Sequence, residues 1–210
     1  MKLWYLSQSV VPSPTANSVH VTKMAAAFAN DGHDVRLYAW LGASDDDPFE
    51  FYGVERSFEL LRARRWPVPA GGVLSYASMV NRDLPRPPPH LLYGRYTIGL
   101  ATARTRKRPL LLEVHNPPRA GTETRLFERL IGRDNFLGLV VISDALREEY
   151  ERRHPALEGR ILVAHDGADP VRSARPPEPT GDRPFRVGYV GQLYAGKGME
   201  MVVRLAAACP

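Results

Sequence analysis

Near its carboxyl end the sequence reads FRVGYVGQLYAGKGMEM, Phe185 to Met201. Within it Gly191, Gln192, Gly196, Lys197 and Gly198 are the residues whose types and spacing suit chemistry. Arg186 to Tyr189 reads as a buried strand. Met199 to Cys209 reads as a helix with Met199, Val202, Val203, Leu205 and Ala206 along one side. A strand, a glycine-bracketed loop and a helix N-terminus form an anion site, because loop amides and helix dipole converge on one spot. Lys197 adds a formal charge there. The plainer alternative is a β-to-α turn in which the glycines serve geometry and Lys197 is solvated. Only Lys2, Lys23, Lys107 and Lys197 are lysines among 28 basic residues, so a lysine at this position carries more information than an arginine would.

His115 is the second candidate. It ends the apolar run PLLLEVH, Pro109 to His115, and ligands of open parallel sheets lie beyond the carboxyl ends of the strands. The competing reading is a turn histidine held by Asn116, Pro117 and Pro118. Ser143, after the apolar GLVVI of Gly138 to Ile142, reads as a helix cap. His20 reads as a surface residue and His33 as a turn residue. Asp45, Asp46 and Asp47 are consecutive, so they cannot all face one ion and read as a solvated turn.

The elements that must hold these residues alternate along the chain. Lys2 to Ser7 reads as a first strand, and Gln8 to Asn17 as a loop with Pro12 and Pro14. A helix follows from Ser18 to Asn30, capped by Asn17 or Ser18, with Val19, Met24, Ala27 and Phe28 as its buried stripe. Gly32 stops it, and Asp34 to Trp40 is the second strand. Further strands are expected at Val54–Leu60, His90–Tyr93, Pro109–His115, Gly138–Ile142 and Ile161–Ala164. Helices are expected at Gly72–Arg82, Tyr96–Arg106, Thr122–Ile131 and from Ser143 through Arg153. Such alternation predicts an α/β fold, a doubly wound parallel sheet. Residues 1–169 form this first domain. Residues 170–184, rich in proline and nearly free of apolar residues, read as a linker, and 185–210 begin a second domain.

The sequence has 210 residues, 44% of them hydrophobic, and a formal net charge of +5. The lone Cys209 excludes an internal disulfide and offers no metal pattern. No run of residues has the length and apolarity of a transmembrane helix, and no signal peptide opens the chain. A cytoplasmic location is therefore expected. The positive charge suits phosphorylated ligands, an anionic membrane or nucleic acid, but no zinc-knuckle, helix-turn-helix or RNP-like pattern supports the last. Arg62, Arg64, Arg65 and Trp66 could rest on anionic lipid, a peripheral membrane contact; a basic surface turn is the alternative.

Two families have a loop of this kind. Gly191, Gly196 and Lys197 fit the start of a P-loop, but Gly198 stands where that motif needs a hydroxyl for Mg²⁺. YVGQLYAGKG resembles more closely the loop opening the nucleotide-sugar domain of GT-B glycosyltransferases of family 4, with Gln192 where that family usually has Arg. Gly32, His33, Asp34 and Val35 resemble the same family's Gly-His-Xaa-Val phrase. VVIS at 140–143 resembles its Val-Xaa-Ser, and His165 to Asp169 its Asn-Gly-Val-Asp turn.

The resemblance implies a Rossmann-like acceptor-side domain followed by the start of a donor domain. It implies a retaining, metal-independent transfer of a sugar from a UDP- or GDP-linked donor to an acceptor hydroxyl, with no cofactor. In such an enzyme His115 would lie close to the donor sugar and act catalytically. Gly191, Gln192 and Lys197 would bind the donor diphosphate, and Asn17 and Ser18, in the first loop, would contact donor or acceptor. The 210 residues alone are expected to be inactive, and the apolar side of 185–210 to pack on the first domain or on a second copy, giving a homodimer. The alternative in another class is a non-catalytic ligand- or partner-binding module of the same fold.

Overall fold

The computed structural model describes residues 1–82, 88–104, 107–117, 121–170, 187–191, 193 and 195–208. The chain divides into two units, Met1–Gly167 and Ala168–Pro210. The first contains β1 (Lys2–Val11), α1 (Ala16–Asn30), β2 (Asp34–Leu41), α2 (Pro48–Tyr52), β3 (Glu59–Ala63), α3 (Gly71–Arg82), β4 (Leu91–Gly94) and α4 (Thr97–Thr102). It continues with β5 (Leu110–Val114), α5 (Thr122–Ile131), β6 (Phe136–Val141), α6 (Asp144–Arg153), a 3-10 turn at Pro155–Leu157 and β7 (Ile161–Val163). In the second unit lies α7 (Met199–Ala208).

The seven strands form one sheet in the order β3-β2-β1-β4-β5-β6-β7, and every adjacent pair is parallel. Successive side chains of a strand face opposite ways, and both faces of this sheet are covered. Leu3 and Tyr5 of β1 pack with Val21, Ala25, Val35 and Leu37 beneath α1. Trp4 and Leu6 pack on the other face with Tyr38, Trp40, Tyr76, Leu92 and Leu112. From β1 the chain winds outward through β2 and β3, then returns to place β4 on the other flank of β1. The strand order therefore reverses between β1 and β4, where a crevice opens at the carboxyl ends.

Several boundaries differ from expectation for local reasons. β1 runs on to Val11. Its last residues look polar in sequence, but Ser7 and Ser9 are buried, their hydroxyls 2.8 Å apart, and Ser9 N–H donates to Ser7 Oγ at 3.0 Å. The register with β2 shifts between Leu6 and Val10, so the strand bulges there. Helix α1 starts at Ala16 with Thr15 as its cap residue, which places Asn17 and Ser18 inside the first turn. Its buried stripe is Ser18, Val21, Thr22, Ala25 and Ala26, while Ala27 is exposed. The polar members conceal that stripe, Ser18 donating to Val10 O and Thr22 to Ser18 O.

The acidic turn is a capped helix: Asp47 accepts from the amides of Phe49 and Glu50. Gly53, at φ 61°, ends α2, and Val54 N–H returns to Phe49 O at 3.0 Å. Val54 is thus spent on helix termination, and the third strand begins only at Glu59. Helix α4 stops at Thr102, with Ala103 extended and Arg104 N–H held by Asn81 Oδ1 at 2.8 Å. Ser143 caps α6 as expected, its hydroxyl accepting from Leu146 N–H at 3.3 Å.

In the second unit, residues 187–190 carry no strand. A strand is defined by its ladder, and no other strand lies among that unit's described residues. Gly196 and Gly198 take φ of 86° and 83°, the region that favours glycine. Helix α7 follows with no buried residue, and Met201, Val203 and Leu205 are exposed.

Candidate functional site

The crevice between β1 and β4 holds a cavity of about 550 Å³ lined by Gln8, Asn17, Arg95, Thr97, Glu113, Val114, His115, Asn116, Pro117 and Glu123. The walls come from strand ends and the first turns of helices: Gln8 from β1, Asn17 from α1, Arg95 after β4, Thr97 from α4, Glu113 to Pro117 from the end of β5 and beyond it, and Glu123 from α5. Gly94 brings β1 and β4 close. A Cβ there would stand 2.7 Å from Leu6 O, and Leu6 pairs with Gly94 across the ladder.

Glu113 organises the site, although it lies inside an apolar strand and is only 4% exposed. One oxygen, Oε2, accepts from Tyr93 Oη at 2.7 Å and Tyr5 Oη at 3.3 Å. The other, Oε1, lies 2.7 Å from His115 Nε2 and 3.1 Å from His20 Nε2. Arg95 Nε stands 3.5 Å from the same Oε1. Burial alone would raise this carboxyl's pKa, but the hydrogen bonds from His115 and His20, the Arg95 charge and the Tyr93 hydroxyl outweigh it and hold it far below the usual range. The carboxylate in turn keeps both phenols protonated: burial first, then its negative charge, raises Tyr5 and Tyr93 well above the ordinary tyrosine value.

An ionised carboxylate only accepts. Both imidazoles must therefore donate Nε2–H, so Nδ1 is the remaining ring nitrogen on each. The two rings meet edge to face, with centroids 5.3 Å apart. His20 Nδ1 lies 3.5 Å from Asp166 Oδ1, and His115 Nε2 lies 4.0 Å from the same oxygen.

His115 thus stands in the cavity wall at the end of β5, and Asn17 lines the same cavity. Asn17 Nδ2 donates to Ser9 Oγ at 2.6 Å, which ties it to the bulge of β1. Ser18 is instead fully buried, its hydroxyl joining α1 to β1. Gly191 and Lys197 lie in the second unit, and Gln192 lies outside the described residues. His20 is no plain surface residue, since it shares Glu113 with His115. Glu113 and Arg95 were not found from sequence; a glutamate inside PLLLEVH was the available signal. Donor atoms of His20, His115 and Asp166 lie within 4.8 Å of one another, close enough to hold a cation. The Arg95 guanidinium against Glu113 opposes a second positive charge there.

At the basic turn, Arg62 belongs to β3 and reaches Val11 O at 3.5 Å, and Arg65 lies over the Trp40 ring at 5.2 Å. All four residues, Arg62, Arg64, Arg65 and Trp66, are exposed. No helix among the described residues is long and apolar enough to cross a membrane.

A parallel α/β sheet, with a polar cavity where its strand order reverses, defines a Rossmann-like domain. The chain belongs to the glycosyl transferase 4-like domain family, whose model matches residues 17–167. No curated protein matches it. Its fold is similar to that of Anabaena Alr3699/HepE, solved with UDP and glucose (TM-score 0.56, 17% identity, 80% of this chain and 45% of that one). It is also similar to the lipopolysaccharide outer core galactosyltransferase WaaB in its apo form (TM-score 0.60, 12% identity, 88% and 50%). A third similar fold is a sucrose-phosphate synthase structure from Thermosynechococcus elongatus (TM-score 0.58, 13% identity, 80% and 91%). The chain therefore spans about half the length of the first two.

Proposed function

We propose that the chain is the acceptor-side part of a retaining, metal-independent glycosyltransferase that moves a sugar from a UDP- or GDP-sugar to an acceptor hydroxyl. The observation that carries this is the Glu113–His115 pair in the wall of the crevice cavity, within a domain of glycosyltransferase family and fold. In the transfer, the bond from the sugar's anomeric carbon to the diphosphate breaks and a bond to the acceptor oxygen forms, the acceptor proton passing to the departing diphosphate oxygen. His115, with Nε2–H committed to Glu113, offers Nδ1 to a sugar hydroxyl. The carboxylate behind it stabilises any positive charge the ring acquires.

The leaving diphosphate falls to the loop of the second unit. Gly191, Gln192 and Lys197 would supply amides, an amide side chain and a cation that neutralise charge without a metal ion. The residues of this chain alone are expected to hold acceptor and donor sugar too weakly for useful turnover, because a bilobal transferase reacts between two domains. The exposed apolar side of α7 is expected to be covered by protein, a second copy included. Arg62, Arg64, Arg65 and Trp66, all exposed, remain candidates for a peripheral membrane contact.

The test is product analysis. The parent polypeptide carrying this sequence is incubated with UDP- and GDP-hexoses and a panel of hydroxyl acceptors. Transfer with retention at the anomeric carbon, persisting in chelator, is expected. Absence of nucleoside diphosphate release from every donor would contradict the proposal.

A further inference from the structure

A second cavity, of about 460 Å³, opens beside the crevice on the same carboxyl edge of the sheet. The two share Gln8, and Tyr96 of the second stands in sequence between Arg95 and Thr97 of the first. The floor of the second cavity is aromatic and fixed. Trp40, near the end of β2, packs on Tyr76 with ring centroids 5.2 Å apart, and Tyr76 meets Tyr96 edge to face at 5.0 Å. All three rings are buried.

The wall above that floor is open. Trp66 and Val68, in the turn between β3 and α3, are 48% and 52% exposed, so apolar surface faces water inside a concavity. The turn is held there at a conformational cost. Ala70 takes φ 56°, the only non-glycine residue in the left-handed region among the described residues, and such backbone outliers concentrate at ligand sites. A Cβ on Gly71 would stand 2.2 Å from Trp66 O, so glycine is what lets the Trp66 backbone lie against the start of α3.

Polar groups in the same lining decide what the rings receive. Gln8 and the Arg65 guanidinium offer hydrogen bonds, and an alkyl chain seated there would take them from water unpaired. A pyranose ring has a C–H face for an aromatic side chain and hydroxyls at its edge for such partners, which suits a cavity of aromatic surface with a few polar groups. We infer that the acceptor is a saccharide of at least two rings: one reacts beside His115 while its neighbour stacks on Trp66 in the second cavity. This substrate class rests on the reading of the crevice as the acceptor site. A single-ring acceptor would leave Trp66 and Val68 exposed and gain nothing from them.

Methyl glucoside, maltose, cellobiose, lactose and octyl glucoside are titrated separately into the isotopically labelled 210-residue chain. The indole signals of Trp4, Trp40 and Trp66 and the histidine ring signals are followed by NMR. At least one disaccharide is expected to shift Trp40, Trp66 and His115 together, to leave the buried Trp4 unmoved, and to bind about tenfold or more tighter than methyl glucoside. Trp66→Ala is expected to remove that advantage and Trp66→Tyr to keep most of it. Gly72 allows a second variant, because its Cβ would meet Trp40 at 3.5 Å, an ordinary contact on the cavity floor. Gly72→Leu is expected to fill the cavity and abolish the advantage with the Trp4 signal unchanged. Disaccharides that bind no tighter than methyl glucoside would overturn the inference, as would an advantage surviving in Trp66→Ala or Gly72→Leu. Octyl glucoside binding tighter than every disaccharide would overturn it in favour of an apolar aglycone. Phosphatidylglycerol vesicles that shift Trp66 while every sugar leaves it unmoved would overturn it in favour of lipid contact. Equal transfer by the parent polypeptide to one-ring and two-ring acceptors would overturn it too, while leaving the transferase reading intact.

Discussion

Glu113 Oε1 lies 2.7 Å from His115 Nε2, between residues two apart at the end of one strand. Residues i and i+2 of a strand share a face, so β5 delivers carboxylate and imidazole together. Replacing Glu113 with Gln would leave Arg95 without its negative neighbour and offer an amide to four donors that need acceptors. A loss of about 3 kcal/mol in folding stability is expected, read from urea unfolding at neutral pH. A change below about 0.5 kcal/mol would show that the network does not stabilise the fold.

The same carboxylate sets an acid dependence. Its folded pKa is depressed, so its stabilisation is fully present above the unfolded glutamate value of about 4.3. It is lost as pH falls below that value towards the folded one. The stability gap between wild type and Glu113→Gln is therefore expected to be constant from pH 7 down to about 5 and to narrow in stronger acid. Thermal unfolding of both proteins from pH 3 to 7 gives the comparison. A gap that widened in acid would reverse the assigned sign.

Gly94 tests the close strand contact that places Arg95. A Cβ would stand 2.7 Å from Leu6 O, a backbone atom that cannot rotate away. Gly94→Ala is expected to cost about 1–3 kcal/mol, whereas Gly32→Ala, with open space around the Cβ but a φ of 84°, tests backbone conformation alone. Equal stability of Gly94→Ala and wild type would mean that the β1–β4 approach relaxes freely.

Lys197 carries the donor side of the account. In the parent polypeptide, Lys197→Ala is expected to weaken UDP or GDP binding about tenfold, about 1.4 kcal/mol, with little effect on folding. Calorimetric titration measures it, and unchanged affinity would return Lys197 to the role of a turn residue.

The sheet was legible because β2, β5 and β6 are short apolar runs between turn signals, and α5 was read to its residue limits at Thr122–Ile131. The misread places share a cause: polar residues satisfied by partners distant in sequence or concealed by burial. Ser9 looks like a loop residue yet extends β1, and Ser18 and Thr22 hide the true stripe of α1. Val54 looks like a strand residue but closes a helix. In the site, His115 was legible from its place after an apolar strand. The rest was not, because Tyr5, His20, Tyr93 and Glu113 are brought together only by the sheet order; His20 and Glu113 are 93 residues apart.

The central claim is that His115, held by Glu113, takes part in sugar transfer. The direct measurement is the rate of nucleoside diphosphate release from a UDP- or GDP-hexose, with acceptor, by the parent polypeptide and its His115→Ala variant. Folding of the variant is checked by its unfolding midpoint. A fall of about 100-fold or more in kcat with the fold retained is the predicted result. A His115→Ala variant with unchanged kcat would contradict it.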